Sequence, residues 1–355
     1  MDYWTKPTPT GYTGVVLDQL TMPKPSHRLL VWLGLLVLYV VWGSTYLGIA
    51  VAIETIPPFT MAATRFIVAG LVLVGLVVIR QPSGLRRPTL AEIRDSVIVG
   101  VLLAAVGNGF VTLAEQTVPS GIAALFIAMM PVWVAILGRV LFADRLPRIA
   151  VGGILLGFAG VALLASPLDE AGAVEPVGLL LVVLAPIGWS IGSLFAAKRA
   201  VQPDPPLLAT GVQMLGGGVA LALLGLASGE AGRIDVTAIS AESVAALAYL
   251  TVIGSLLAYS TYAWLLSVAP VSMIATYAYV NPVVAVLLGA FVLREPVTPR
   301  TILAGAIIIA AVALIITARG RMTRARAQVA EPDRAPPASD EKRGRRAPDT
   351  RASTA

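Results

Sequence analysis

The sequence has no cysteine, one histidine and little charge, and each shortage removes a class of chemistry. Without cysteine there is no disulfide framework, no thiolate nucleophile and no cysteine-based metal site. The single histidine, His27, precedes the first apolar run. Neither a His-Glu-x-x-His metal pair nor a serine–histidine relay at membrane depth can therefore be built. No acidic pair lies in the middle of an apolar run, so no catalytic residues, metal ligands or cofactors are expected. No Gly-x-x-x-x-Gly-Lys loop is present to cradle phosphates, which excludes ATP as a driver. Charged residues make up 13% of the 355 residues, about half the ~25% usual in soluble domains. The formal net charge is +6. Its basic residues gather at the C-terminal end and in short loops, with no basic–aromatic module, so nucleic acid is not an expected partner.

What the chain has instead is long apolar runs. Crossing ~30 Å of hydrocarbon takes ~20 apolar residues in a helix. Runs of about that length fall near 29–52, 60–79, 95–114, 120–141, 149–166, 177–198, 207–227, 243–266, 271–292 and 301–318. Turn signals separate them, among them Ile56-Pro57-Pro58, Val118-Pro119-Ser120-Gly121, Asp204-Pro205-Pro206 and Val297-Thr298-Pro299. In lipid only helices or closed barrels bond every backbone group, and these runs are far longer than barrel strands. The expected fold is an all-α polytopic membrane protein with ten transmembrane helices. Residues 1–28 mix charges and prolines and read as a cytoplasmic N-terminal segment, not a cleavable signal.

Charge sets the expected orientation. With the N-terminus cytoplasmic, all basic residues except Arg65, Arg233, Arg294 and Arg300 fall on the cytoplasmic side. The positive-inside rule then places both termini in the cytoplasm and the protein in the cell membrane as a multi-pass chain. Residues 319–355, rich in Arg, Pro and Ala, read as a disordered basic cytoplasmic tail.

The apolar region is doubled. A shift of about 151 positions puts Pro119 on Pro270, Pro131 on Pro282, Gly138 on Gly289 and Asp144 on Glu295. A slightly smaller shift puts Trp42 on Trp189, Pro57-Pro58 on Pro205-Pro206 and Gly70 on Gly218. Residues 29–166 and 177–318 are thus two five-helix repeats. Five is odd, so the second is expected upside down relative to the first, an arrangement suited to alternating access around a midplane site.

Several segments also carry a family resemblance. Trp42-Gly43-Ser44-Thr45-Tyr46, Ala63-Thr64-Arg65-Phe66, Gly107-Asn108-Gly109 and the run from Val118 to Leu125 resemble the EamA-type transporters of the drug/metabolite transporter superfamily. So do Met130-Pro131, Asn281-Pro282 and the loop acids Asp144 and Glu295. The resemblance covers about residues 30–318. It implies a ten-helix fold with cytoplasmic ends and a cavity between the halves for small organic solutes, commonly exported amino acids, metabolites or drugs.

Helical spacing groups the polar and aromatic side chains that would line such a cavity. Asn108, Thr112 and Glu115 follow at i, i+4 and i+7, and Tyr39, Trp42 and Tyr46 form an aromatic stripe. Trp189 with Ser193, Ser255 with Tyr259 and Tyr262, Tyr277 with Asn281, and Phe126 with Met130 and Trp133 complete the set. The expected substrate-binding residues are Trp42, Tyr46, Asn108, Thr112, Met130, Trp133, Trp189, Ser193, Tyr259, Tyr262, Tyr277 and Asn281. Aromatic walls with a few hydroxyls and amides suit uncharged or zwitterionic solutes.

Arg65 and Glu115 break the repeat, since their counterparts are Gln213 and Leu266. Ionisable groups within spans mark functional sites. Arg65 is expected to pair with Glu115 or Glu54 as an outer gate, and Glu115 to carry a coupling proton. The expected function is a secondary active exporter of small organic solutes, coupled to a proton or counter-solute, in the lipid bilayer as a monomer or homodimer. An uptake permease or exchanger of the same fold is the alternative; a channel would show charged rings or a filter, and an enzyme would need catalytic groups at depth.

Overall fold

The computed structural model describes residues 27–80, 86–144, 146–165, 175–269 and 271–330. The expectations for residues 1–26 and 331–355 lie outside them. α1 spans His27–Ala52, α2 Pro58–Arg80, α3 Leu90–Ala114, α4 Ser120–Phe142, α5 Arg148–Ala165, α6 Pro176–Lys198 and α7 Pro206–Ala227. α8 consists of Ala241–Tyr249, Leu250–Leu257 and Ala258–Val268; α9 of Val271–Ile274 and Tyr277–Val292; α10 is Pro299–Ala330. Among the described residues nine helices are long and apolar enough to cross a membrane, and Tyr277–Val292 is a shorter apolar helix of 16 residues. No described residue is in a strand.

The ends of these helices show how the sequence sets them. Thr89 caps α3 in a reciprocal box with Glu92, and Ser240 caps α8 by accepting from the Ser243 N–H at 3.1 Å. α4 and α9 end alike. Ala143 and Arg294 adopt left-handed backbone at φ 53° and 56°. The N–H of the following acid, Asp144 or Glu295, then bonds back to the Gly138 or Gly289 carbonyl, at 3.1 Å in both cases. α4 is interrupted after Ile127 and restarts at Met130, with Pro131 in the new first turn, where its missing N–H costs nothing. Pro186 and Pro282 sit inside α6 and α9.

α3 and α8 each contain a π-helical stretch, Val101–Asn108 and Leu250–Leu257. The two lie about 149 positions apart. One residue is inserted into the turn, so everything downstream is rotated relative to a regular helix.

The packing respects the repeat. α2 lies on α7 and α5 on α10, each helix against its own counterpart. α3 packs on α6 as α8 packs on α1; α3 packs on α7 as α8 packs on α2; α4 packs on α6 as α9 packs on α1. The α2–α7 contact is close because of glycine. A Cβ on Gly70 would stand 2.9 Å from the Gly211 carbonyl, inside contact distance. Gly153 and Gly160 give α10 the same access to α5, and Gly157 receives the Met129 side chain. The small-residue face of α5 therefore serves packing within the bundle. Between the helices, Phe66, Leu73 and Leu221 fill one core, Leu35, Leu38 and Leu265 another, and Leu125, Ile308 and Ile315 a third. Trp32, Leu36, Leu71, Leu155, Leu223 and Phe291 are exposed. Apolar surface of that extent is a liability in water and normal against lipid tails.

One boundary differs from expectation. The last helix was expected to end at 318, and its apolar span does end at Ala318, but the helix itself runs on to Ala330. Residues 319–330 are thus helix and not part of an irregular tail. Arg, Ala, Met and Gln are good helix formers, so propensity extends the helix after the apolar signal stops.

Candidate functional site

α1, α8 and α9 bring four of the expected lining residues together. Trp42 meets the ring of Tyr277 edge-on at 4.9 Å, that of Tyr262 at 5.3 Å and that of Tyr259 at 5.5 Å. Tyr262 and Tyr277 are 6.2 Å apart. The contacts fall in the edge-to-face range favoured by aromatic quadrupoles. All four rings are half-buried. Beside them, the Tyr39 and Thr276 hydroxyls are hydrogen-bonded, and Ser44 Oγ bonds Tyr249 Oη at 2.6 Å.

The other expected residues make their contacts outside these four rings, although Tyr46 is an electrostatic neighbour of Tyr277. Tyr46 lies between the cores of the α1–α8 contact and the α4–α10 contact, and Trp189 packs on the former. Trp133 is edge-on to Phe158 of α5 at 5.6 Å, apart from the Trp42 cluster, and Phe126 is core. Asn108 donates from Nδ2 to the Leu103 carbonyl at 3.1 Å, and Thr112 Oγ1 to the Asn108 carbonyl at 2.9 Å. Asn108 Nδ2 and the Thr112 hydroxyl are thus taken up within α3. Met130 offers its carbonyl to Ser190 Oγ at 3.1 Å. Ser193 is half-buried on α6. Asn281 is buried on α9, and its Oδ1 has no hydrogen-bond partner among the described residues.

Arg65 is 4% exposed in the seventh decade of the chain on α2, next to α8. Its Nε donates to Ser255 Oγ at 2.9 Å. The expected pair with Glu115 or Glu54 is not formed: among the described residues the ion pairs are Arg86–Glu92, Arg94–Asp95 and Lys198–Asp144. Ser255 takes the position next to Nε because the π-helical turn carries it onto the α2 face, and Gly254 beside it leaves room. A Cβ at Gly254 would lie 3.4 Å from Arg65 Nη2. Tyr259, Glu115 and Tyr249 are the electrostatic neighbours of the guanidinium. Glu115 is buried at the end of α3, and neither carboxyl oxygen has a partner among the described residues.

Two acids that spacing did not single out as site residues tie helix starts together across the repeat. Glu230 accepts from the Phe59 N–H at 3.0 Å, the Thr60 N–H at 2.8 Å and Thr60 Oγ1 at 2.8 Å. Glu295 accepts from the Ser120 N–H at 2.7 Å and the Gly121 N–H at 3.0 Å. A signal existed for both. α2 and α4 start behind Pro57 and Pro119, which offer no capping oxygen, so their free N–H groups need an acceptor from elsewhere.

These features define a duplicated, all-helical, multi-pass membrane protein with an aromatic cluster and a buried cation near the contact of its halves. The model of the EamA-like transporter family matches residues 29–166 and 176–317, and the chain belongs to that family. The duplication read from the prolines and glycines is therefore a duplicated family domain, and the chain is grouped with transporters and not enzymes. It is 36% identical over 283 residues to the inner membrane transporter YedA of Escherichia coli (strain K12), covering 79% of this chain and 89% of that one. It is 24% identical over 307 residues to the transporter YvbV of Bacillus subtilis (strain 168), covering 86% and 96%. A solved crystal structure superposes with a TM-score of 0.56 at 20% identity, over 82% of this chain and 98% of that one, a likeness of fold alone.

Proposed function

We propose that the chain is a secondary active carrier of ten transmembrane helices in two inverted five-helix repeats, both termini cytoplasmic. It exports small organic metabolites, amino acids or drugs by alternating access through a central site. The observation that carries this reading is the Trp42, Tyr259, Tyr262 and Tyr277 cluster. It joins α1 of the first repeat to α8 and α9 of the second. A solute held there touches both halves, so rocking one half on the other changes its access. The packing of each helix as its counterpart packs supports a two-fold relation between the repeats, and an odd helix number in each makes that relation an inversion. Tyr46, Asn108, Thr112, Met130, Trp133, Trp189, Ser193 and Asn281 extend the site, with Asn281 offering an unpartnered amide oxygen. Arg65 and Glu115 form the gate or coupling element. They are electrostatic neighbours that form no ion pair in this structure; the pair closes in another conformation, with a proton or counter-solute as the coupled species.

The test is counterflow in liposomes preloaded with a candidate solute and assayed in both directions. Saturable exchange supports a carrier. Conductance without saturation, or chemical change of the solute, refutes it.

A further inference from the structure

Two buried ionisable side chains of opposite sign, Arg65 and Glu115, carry no ion pair among the described residues, and they are not equivalent. A carboxyl group can relieve burial by taking up a proton. A guanidinium stays charged and keeps five N–H donors in a planar fork. Among the described residues both oxygens of Glu115 are sealed from solvent and without partners. Arg65 has one acceptor there, Ser255 Oγ on Nε, and its Nη1 and Nη2 groups, which have none, are not sealed from solvent.

A buried guanidinium is unfavourable unless acceptors meet its N–H groups. Glu115 is an electrostatic neighbour of Arg65 and the Phe66 ring lies 5.0 Å from its Cζ, but neither supplies an acceptor to Nη1 or Nη2. Gly254 withholds a side chain from the Nη2 edge, and Ser255 fixes the plane of the fork through Nε. Tyr259, a neighbour of the guanidinium, leads directly to Trp42 and from it to Tyr262 and Tyr277. Charge and apolar wall are thus contiguous.

We propose that Arg65 is the anion-recognition residue of the carrier and that its solutes are carboxylates with an aromatic or apolar body. The carboxylate takes the free Nη1 and Nη2 donors in a two-point bond. The body lies against Trp42, Tyr262 and Tyr277. This inference rests on the transporter reading for its site but is tested by binding, not by flux.

The experiment uses the purified full-length chain and three probes of one shape: phenylacetate, phenylacetamide and phenethylamine. Thermal unfolding is followed at millimolar probe, since a ligand of the folded state raises the midpoint. Phenylacetate alone is expected to raise the midpoint of the natural chain. Its apparent affinity should fall at least tenfold in Arg65→Gln and partly recover in Arg65→Lys. Gly254→Ala, which retains Arg65 and sets a methyl in contact with Nη2 at 3.4 Å and with Thr45 Cγ2 at 3.2 Å, covers the case in which Arg65→Gln does not fold, and should weaken phenylacetate severalfold. The proposal is overturned if phenethylamine stabilises as well as phenylacetate, if phenylacetate has no effect, or if its effect survives in both variants. Liposome counterflow separates the two readings. An Arg65-dependent phenylacetate shift without counterflow keeps the anion site and removes the carrier. Counterflow of phenethylamine with no response to phenylacetate does the reverse.

Discussion

Arg65 and Ser255, 190 positions apart, are joined at 2.9 Å by a bond from Nε to Oγ. It is a direct side-chain link between the buried cation of the first repeat and the π-helical turn of the second. A hydrogen bond to a charged group contributes about 1.5–3 kcal/mol. Ser255→Ala should therefore lower the midpoint of thermal unfolding, and Ser255→Thr, which keeps a hydroxyl, should lower it less. Equal loss in both variants would mean that packing at Ser255 matters and the bond does not.

Glu230 closes the start of α2 from the far half of the chain and is 1% exposed. Glu230→Ala leaves two buried N–H groups without an acceptor, at about 1–3 kcal/mol each. A marked fall in thermal stability is expected. Glu230→Gln keeps one acceptor and should fall between. Intact stability in Glu230→Ala would show that water or lipid headgroups satisfy the α2 start equally well.

Glycines divide into those the packing needs and those it does not. A Cβ on Gly100 would stand 1.9 Å from the Gln213 carbonyl oxygen, a backbone atom that cannot step aside. Gly100→Ala should abolish a monodisperse folded product. Nothing lies within 4 Å of a Cβ at Gly75. Gly75→Ala should be neutral or stabilising by up to ~1 kcal/mol, because alanine is the better helix former. Size-exclusion profiles and unfolding midpoints compare the two.

The absence of cysteine makes orientation directly testable, since no native thiol gives background labelling. Thr237 in the loop between α7 and α8 and Arg87 before α3 are both exposed. In intact cells a membrane-impermeant maleimide should label Thr237→Cys and leave Arg87→Cys unlabelled until the membrane is permeabilised. The opposite pattern would invert the proposed topology.

Much of this architecture is legible in the sequence. Apolar runs of spanning length place the helices because burial in lipid demands length and little else. Prolines and glycines recurring at a fixed shift reveal the duplication. The π-helical stretches were not readable: Val101–Val106 is uniformly apolar, and an inserted residue leaves no mark where no polar side chain changes face. The Asn108, Thr112 and Glu115 stripe follows that stretch and keeps its spacing, but local hydrogen bonding splits it. The first two bond within α3, and only Glu115 is left without a partner. The partner of Arg65 was expected to be an acid on charge grounds. Packing of α2 on α8 supplies a neutral hydroxyl instead, a contact set by tertiary structure over a long separation. The end of α10 was missed because hydropathy reports where lipid stops, and helix propensity is indifferent to it.

The extra residue in α3 and the extra residue in α8 occupy corresponding places in the two family domains. The widened turn therefore belongs to the repeated unit and not to one half alone. A deletion that restores a regular helix in one half would break that correspondence. Its failure or tolerance would tell whether both copies of the irregularity still serve.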